Sequence, residues 1–301
     1  MTKKQTKKTL ERELKIAVEL AGEVSEAILP FYYGSVEKKQ KADGTPVTES
    51  DTLANKIILQ GLQKAFPADA VRSEELGYNG IIEENNSGIL RTWYVDPIDG
   101  TKGFIGHSDQ FAIHIGLAKQ EWDYDLWKKA HRAYEGSAWT PGKAIFGLVY
   151  KPTTGEYYFG GSGIGAWRVH PDGSRKELQV AGERESLCIV TNTSFLQEQA
   201  FLMEKLKVNK VYVSGSLGLR AMCVAGGMAD VYLKEDKHSG GTWDLCAPQA
   251  IVEAAGGYVA YADGTPVRYS GQSNLEGRLV IARNETVGKY VSEMMEKYVE
   301  E

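Results

Sequence analysis

Two acidic residues stand three positions apart in RTWYVDPIDGTKGF, the stretch from Arg91 to Phe104, where an aromatic and β-branched run ends in Asp96 and a Pro-Ile-Asp-Gly-Thr turn follows. Like charges that close repel, and partial burial sharpens the repulsion. A cation, most simply a divalent one, is therefore expected between Asp96 and Asp99. Further carboxylates follow comparable segments: VRSEELG sets Glu74 and Glu75 after a short apolar run, and GGTWDLCAPQAIVEAAGG sets Asp244 at the start of a helix that Gly256 and Gly257 end. Taken singly, each has a plainer reading: a solvated turn for the glutamates, a hydrogen-bonded turn for Asp96 and Asp99, an N-cap for Asp244. Taken together they form an oxygen-only donor set, with no histidine cluster or paired cysteines beside it, which suits Mg²⁺ rather than Zn²⁺. Carboxylates sharing two or three Mg²⁺ ions suit phosphoryl chemistry. Thr101 and Asp51 are placed to orient an attacking water. VSGSLGLR puts Ser214, Gly215 and Ser216 ahead of a helix, a natural seat for phosphate.

Alternating helices and strands must bring these residues together. Leu10, Leu14, Ala17, Val18, Ala21, Val24 and Ile28 recur at helical spacing, which predicts a helix over about 9–29 that Pro30 ends. The four lysines among the first eight residues read as a solvated tail. A second helix is expected from about Thr52 to Phe66, after the polar turn KADGTPVTESD. Strand signals dominate from about 90 to 170, as in FAIHIGLA, AIFGLVYKP and EYYFGG. Beyond about 180, strands alternate with helices near 196–206, 217–225, 245–255 and 285–300. The chain thus reads as an α+β lobe, 1–180, carrying most of the carboxylates, followed by an α/β lobe, 181–301. Residues 121–142 form an insertion between two strands of the first lobe, either a small lid, an oligomer contact or a surface excursion.

The chain has 301 residues, 42% of them hydrophobic and 25% charged, with a net charge of −5. That balance offers no general attraction to nucleic acid or to an anionic membrane, and no stretch reaches transmembrane length. Cys188, Cys223 and Cys246 lack metal-ligand spacing and read as reduced core thiols, which fits a cytoplasmic protein and leaves an organelle open.

DPIDGTKGF followed by WDLCAPQAIVEAAGG resembles the lithium-sensitive, Mg²⁺-dependent phosphatase superfamily of inositol monophosphatases and 3'(2'),5'-bisphosphate nucleotidases. DGTPVTESD, SEELG and GSLGLRAMCVAGGMADVYLK extend the resemblance over roughly residues 10–270. It implies a layered α-β-α-β-α sandwich of the inositol monophosphatase and fructose-1,6-bisphosphatase type. It also implies metal-binding carboxylates at Glu74, Asp96, Asp99 and Asp244, a metal-binding carbonyl at Ile98, and a water-activating pair in Asp51 and Thr101. Lys102 after the threonine, Ala254 before Ala-Gly-Gly, and Lys234 in place of a sugar-binding glutamate are similar to the nucleotidases. Substrate contacts are then expected at Gly100, Thr101, Thr191, Ser194, Gly215, Ser216, Arg220, Lys234 and Asp244. TNTS at 191–194 departs from the Ser-His that contacts nucleotide in many nucleotidases.

The resemblance implies hydrolysis of the 3'-phosphate of 3'-phosphoadenosine 5'-phosphate, and of 3'-phosphoadenylyl sulfate, by a monomer or homodimer. An inositol mono- or polyphosphate phosphatase is the alternative. A non-catalytic phosphate-binding protein fits less well, because it has no need of the Asp51–Thr101 pair.

Overall fold

A computed structural model describes residues 3–34, 39–40, 46–47, 49–75, 77–78, 89–121, 123, 140, 142–198, 200–234, 240–269, 274–275 and 277–298. At 3–9, 39–40, 46–47, 77–78, 89, 193–194, 198 and 234 it describes the backbone alone. The expected insertion falls almost wholly outside the described residues, as do the side chains of Ser194 and Lys234.

Helix α1 (Lys3–Tyr33) starts earlier and ends later than the sequence suggested. Lysine is a good helix former, so the basic start continues the helix instead of forming a tail. Pro30 lies within the last turn, where a missing N–H removes a single hydrogen bond. Tyr32 anchors that turn by packing on Phe104 and Phe111, with ring centroids 5.6 and 5.1 Å away. A short antiparallel pair, β1 (Lys39–Gln40) and β2 (Pro46–Val47), leads into α2 (Glu49–Ala65), so Asp51 lies inside the first turn.

Eight strands then form one sheet: β3 (Ala70–Ser73), β4 (Gly77–Tyr78), β5 (Ile89–Asp99), β6 (Ala112–Glu121), β7 (Lys143–Lys151), β8 (Glu156–Gly161), β9 (Gly165–Val169) and β10 (Arg175–Glu177). The short helix α3 (Thr101–Ile105) links β5 to β6. Neighbours are antiparallel except β3 and β5, which run parallel. The second sheet joins parallel β11 (Leu187–Thr191), β12 (Val208–Val213) and β13 (Val231–Lys234) to antiparallel β14 (Tyr258–Tyr261) and β15 (Leu279–Ala282). Its helices are α4 (Thr193–Glu198), α5 (Ala200–Lys205), α6 (Leu217–Ala225), α7 (Thr242–Ala254) and α8 (Glu285–Tyr298). No described helix is long and apolar enough to cross a membrane.

Strand periodicity sorts the core into layers. Trp93, Val95, Ile113, Ile115 and Leu117 pack on α1 and α2, whereas Tyr94, Ala112 and Ala118, on the opposite face, pack on α6 and α7. In the second sheet Val190, Tyr232 and Ile281 face those same two helices, while Ile189, Val231, Leu233 and Val280 face α4, α5 and α8. The order is therefore α-β-α-β-α, as the resemblance implied. Gly116, Gly147 and Gly160 lie side by side on β6, β7 and β8. Helix α7 rests on this row so closely that a Cβ at Gly116 would come within 2.6 Å of the Ala247 nitrogen, and one at Gly160 within 3.1 Å of Ile251 Cα. Thus α7, from the second half of the chain, is seated on the first sheet.

Candidate active site

The β5–β6 ladder answers why two aspartates stand three apart. Asp96 pairs with His114 and Asp99 with Ala112, so one extra residue is accommodated on β5. In a regular strand, positions three apart point to opposite faces. The bulge restores the lost half-period, and both carboxylates point to the inner side, where α6 and α7 begin. Asp96 steadies the bulge by accepting the Ile98 N–H at 3.0 Å, and the Ile98 carbonyl accepts the Thr101 hydroxyl at 3.2 Å. Gly100 takes φ 91° in the left-handed region and lies so near Gln110 that a Cβ would sit 2.5 Å from its carbonyl oxygen. The turn that launches α3 therefore requires glycine.

Glu74 follows β3, and its N–H donates to the Val95 carbonyl at 3.2 Å. One residue earlier, the buried Ser73 hydroxyl donates to Asn55 at 2.6 Å, tying β3 to α2 one turn beyond the buried Asp51. Asp244 lies in the first turn of α7 and accepts the Gly241 N–H at 2.9 Å, both a cap and a favourable charge for the helix dipole. Carboxylate oxygens of Glu74, Asp96 and Asp244 lie within 4.8 Å of one another. Burial first, then the charges of Glu74, Asp244 and Asp99, hold the Asp96 carboxyl well above the usual carboxylate range. A compact, all-oxygen, mutually repelling set fits a hard divalent cation.

Asp99 stands outside that trio and meets different surroundings. Its Oδ2 accepts the Ser216 hydroxyl and, at 2.9 Å, the Gly218 N–H, and lies 3.1 Å from His114 Nε2. Burial alone would push its carboxyl upward. His114, Ser216 and the Gly218 N–H outweigh burial and bring it down to about 2. The start of α6, read from the sequence as a phosphate seat, is thus taken by a carboxylate of the chain itself.

The second-half residues are arranged around this contact. The Ser214 hydroxyl donates to Gln110 Oε1 at 2.8 Å, and the Gly215 N–H reaches the same oxygen at 3.4 Å. Arg220 is buried, donates to the Ser214 carbonyl at 2.7 Å and stacks on Tyr232, its guanidinium carbon 4.8 Å from the ring centre. Thr191, also buried, receives the Ser214 N–H on its carbonyl, and its hydroxyl has no partner among the described residues. Sequence reading passed over His114, Gln110 and Gly218. The available signal was a lone histidine on the inner face of the otherwise apolar FAIHIGLA.

The model of the inositol monophosphatase family matches residues 9–122 and 139–300. The 3'(2'),5'-bisphosphate nucleotidase CysQ of Salmonella typhimurium is 31% identical over 254 residues, which cover 84% of this chain and 92% of that protein. A histidinol-phosphatase of Chlorobaculum parvum is 29% identical over 283 residues, covering 92% and 94% respectively. Among solved structures, the extragenic suppressor protein suhB of Bartonella henselae superposes with a TM-score of 0.71 at 22% identity, covering 95% of this chain and 99% of its own, a likeness of fold. The chain belongs to the inositol monophosphatase family of metal-dependent phosphatases.

Proposed function

We propose that this chain removes the 3'-phosphate of 3'-phosphoadenosine 5'-phosphate, giving AMP and phosphate, in a cytoplasmic setting and with Mg²⁺ as the metal. The convergence of Glu74, Asp96 and Asp244 from three separate elements carries the phosphatase reading. Likeness to curated nucleotidases, together with Lys102 after Thr101, supports the bisphosphate.

Glu74, Asp96 and Asp244 would hold the ions, with Asp99 Oδ1 and the Ile98 carbonyl completing the set. Mg²⁺ bound there supplies positive charge to the phosphoryl group undergoing transfer. Thr101 orients a water, and the buried Asp51 takes its proton as the water oxygen attacks phosphorus. The P–O3' bond breaks, the ribose oxygen takes a proton from solvent water, and Asp51 releases the proton it accepted to solvent. Gly100 and Thr101 would offer backbone N–H groups to the phosphate and the exposed Gly215 would border the nucleotide, whereas Thr191 and Ser216 are wholly buried and would act from behind that surface. Arg220 acts through the loop it braces at Ser214.

The test is kcat/KM on a panel of adenosine 3',5'-bisphosphate, adenosine 3'-monophosphate, inositol 1-phosphate, fructose 1,6-bisphosphate and histidinol phosphate, with and without Mg²⁺. Adenosine 3',5'-bisphosphate should lead. Preference for an inositol phosphate or for histidinol phosphate, the ester named by the second relative, would overturn the nucleotide reading and keep the phosphatase.

A further inference from the structure

His114 is wholly buried at the centre of the site and none of the roles above uses it. It stands opposite Asp96 in the β5–β6 ladder and faces the inner side. Nδ1 has no hydrogen-bond partner among the described residues. Nε2 lies 3.1 Å from Asp99 Oδ2, approached along a bent rather than a straight N–H···O line. The first turn of α6 lies against the imidazole, where a Cβ at Gly218 would overlap Nε2 and come within 2.6 Å of Cε1. An apolar side chain would fill this alternating strand position at lower cost, because a buried polar ring with unmet hydrogen-bonding capacity is unfavourable. The ring's placement therefore calls for a reason, and Asp99 is the polar group it reaches.

We propose that His114 is a positioning residue that fixes the Asp99 carboxylate for metal binding. Together with the Ser216 hydroxyl and the Gly218 N–H it surrounds Oδ2. These three contacts on Oδ2 restrict rotation of the carboxylate and leave Oδ1 as the oxygen for the cation that Glu74, Asp96 and Asp244 would hold. An N–H at Nε2 is all that this role requires of the ring. Groups that orient a ligand in this way govern affinity for the ion rather than recognition of the ester. The proposal rests on the reading as a metal-dependent phosphatase, and it is indifferent to which ester is cleaved.

Three substitutions separate donor from volume. His114→Phe and His114→Leu fill the space without an N–H, whereas His114→Gln can place an amide donor where Nε2 stands. Mg²⁺ alone is titrated into substrate-free, EDTA-stripped protein by isothermal calorimetry, with thermal melting to verify folding. The Mg²⁺ dependence of turnover is measured in parallel. Phe and Leu should weaken Mg²⁺ binding about 10-fold or more, and Gln should stay within about threefold of the natural chain. At saturating Mg²⁺ the KM for the ester should be unchanged in all three. Folded Phe or Leu variants that bind Mg²⁺ as the natural chain does would overturn the proposal, and so would Gln behaving like Phe. If both apolar variants fail to fold, a Gln variant with Mg²⁺ affinity lowered as much as about 10-fold would likewise overturn it. A natural chain that binds Mg²⁺ but cleaves no phosphate ester would refute the functional reading, and the titration would still decide the role of His114.

Discussion

Asp96 and Asp99 meet opposite electrostatic surroundings, so exchanging each for the isosteric asparagine should shift metal-free stability in opposite directions. The Asp99 carboxyl is lowered from 3.8 to about 2 because His114, Ser216 and Gly218 outweigh its burial. A depression of that size corresponds to about 2 kcal/mol of stability. It is present above pH 3.8 and lost as the pH falls toward about 2. Asp99→Asn should therefore destabilise the metal-free protein by about 2 kcal/mol near neutrality, a difference that closes in strong acid. Asp96 has the reverse sign. Its raised carboxyl weakens the fold as the pH climbs from 3.8 through its folded value, driven by burial and by Glu74, Asp244 and Asp99. Like charges 4.8 Å apart repel by about 3 kcal/mol at an effective dielectric near 20. Proton uptake by the cluster relieves part of that, leaving a gain on the order of 1 kcal/mol for Asp96→Asn. The asparagine keeps an acceptor for the Ile98 N–H. Calorimetry in EDTA at about pH 8 should show Asp96→Asn melting about 1–2 °C higher and Asp99→Asn about 3–4 °C lower. The gain at Asp96 should shrink as the pH falls through its raised folded value, where the Asp96 carboxyl takes up its proton. Equal signs for the two variants, or a loss above about 2 kcal/mol in Asp96→Asn, would refute the assignment of a repelling cluster at one residue and a braced carboxylate at the other.

Thr101→Ala should lower kcat about 100-fold while KM stays nearly constant, since its hydroxyl acts mainly in the transition state; a raised KM with unchanged kcat would contradict this. Gly147→Ala should lift α7 from the sheet, lowering stability by about 1–3 kcal/mol and weakening Mg²⁺ binding through Asp244, as read by melting and by metal titration. Arg220→Ala should cost about 2–4 kcal/mol in kcat/KM for adenosine 3',5'-bisphosphate. Adenosine 3'-monophosphate should be nearly unaffected if the braced loop serves the second phosphate, and equal losses on both esters would remove that role.

Local signals in the chain spoke for local structure. Apolar spacing revealed α1 and α2, alternation revealed β6 to β8, and the Asp-Gly turns and flanking runs exposed Glu74, Asp96 and Asp244. Effects that depend on distant pairing stayed hidden. Ser214–Ser216 looked like an open helix start because nothing nearby in the sequence says that Asp99 occupies it. His114 looked like one more strand position because its face is set by the register with β5, and that register depends on the bulge between Asp96 and Asp99. Pro30 looked like a stop because the aromatic packing that holds Tyr32 comes from Phe104 and Phe111, far along the chain.

The seat of α7 on the glycine row imposes an order in time. As the chain leaves the ribosome, the first sheet can form with Glu74 and Asp96 in place, but the glycine row on its inner face stays uncovered until α7 emerges, after more than three-quarters of the chain has been made. Asp244 arrives with that same helix. Covering the sheet and completing the carboxylate trio are therefore one event, and a late one, as expected where contacts join distant parts of a chain. A nascent or truncated chain ending before α7 would expose a glycine-lined sheet to chaperones and lack the third carboxylate. Covering the sheet and assembling the trio thus share a single step, the docking of one thirteen-residue helix.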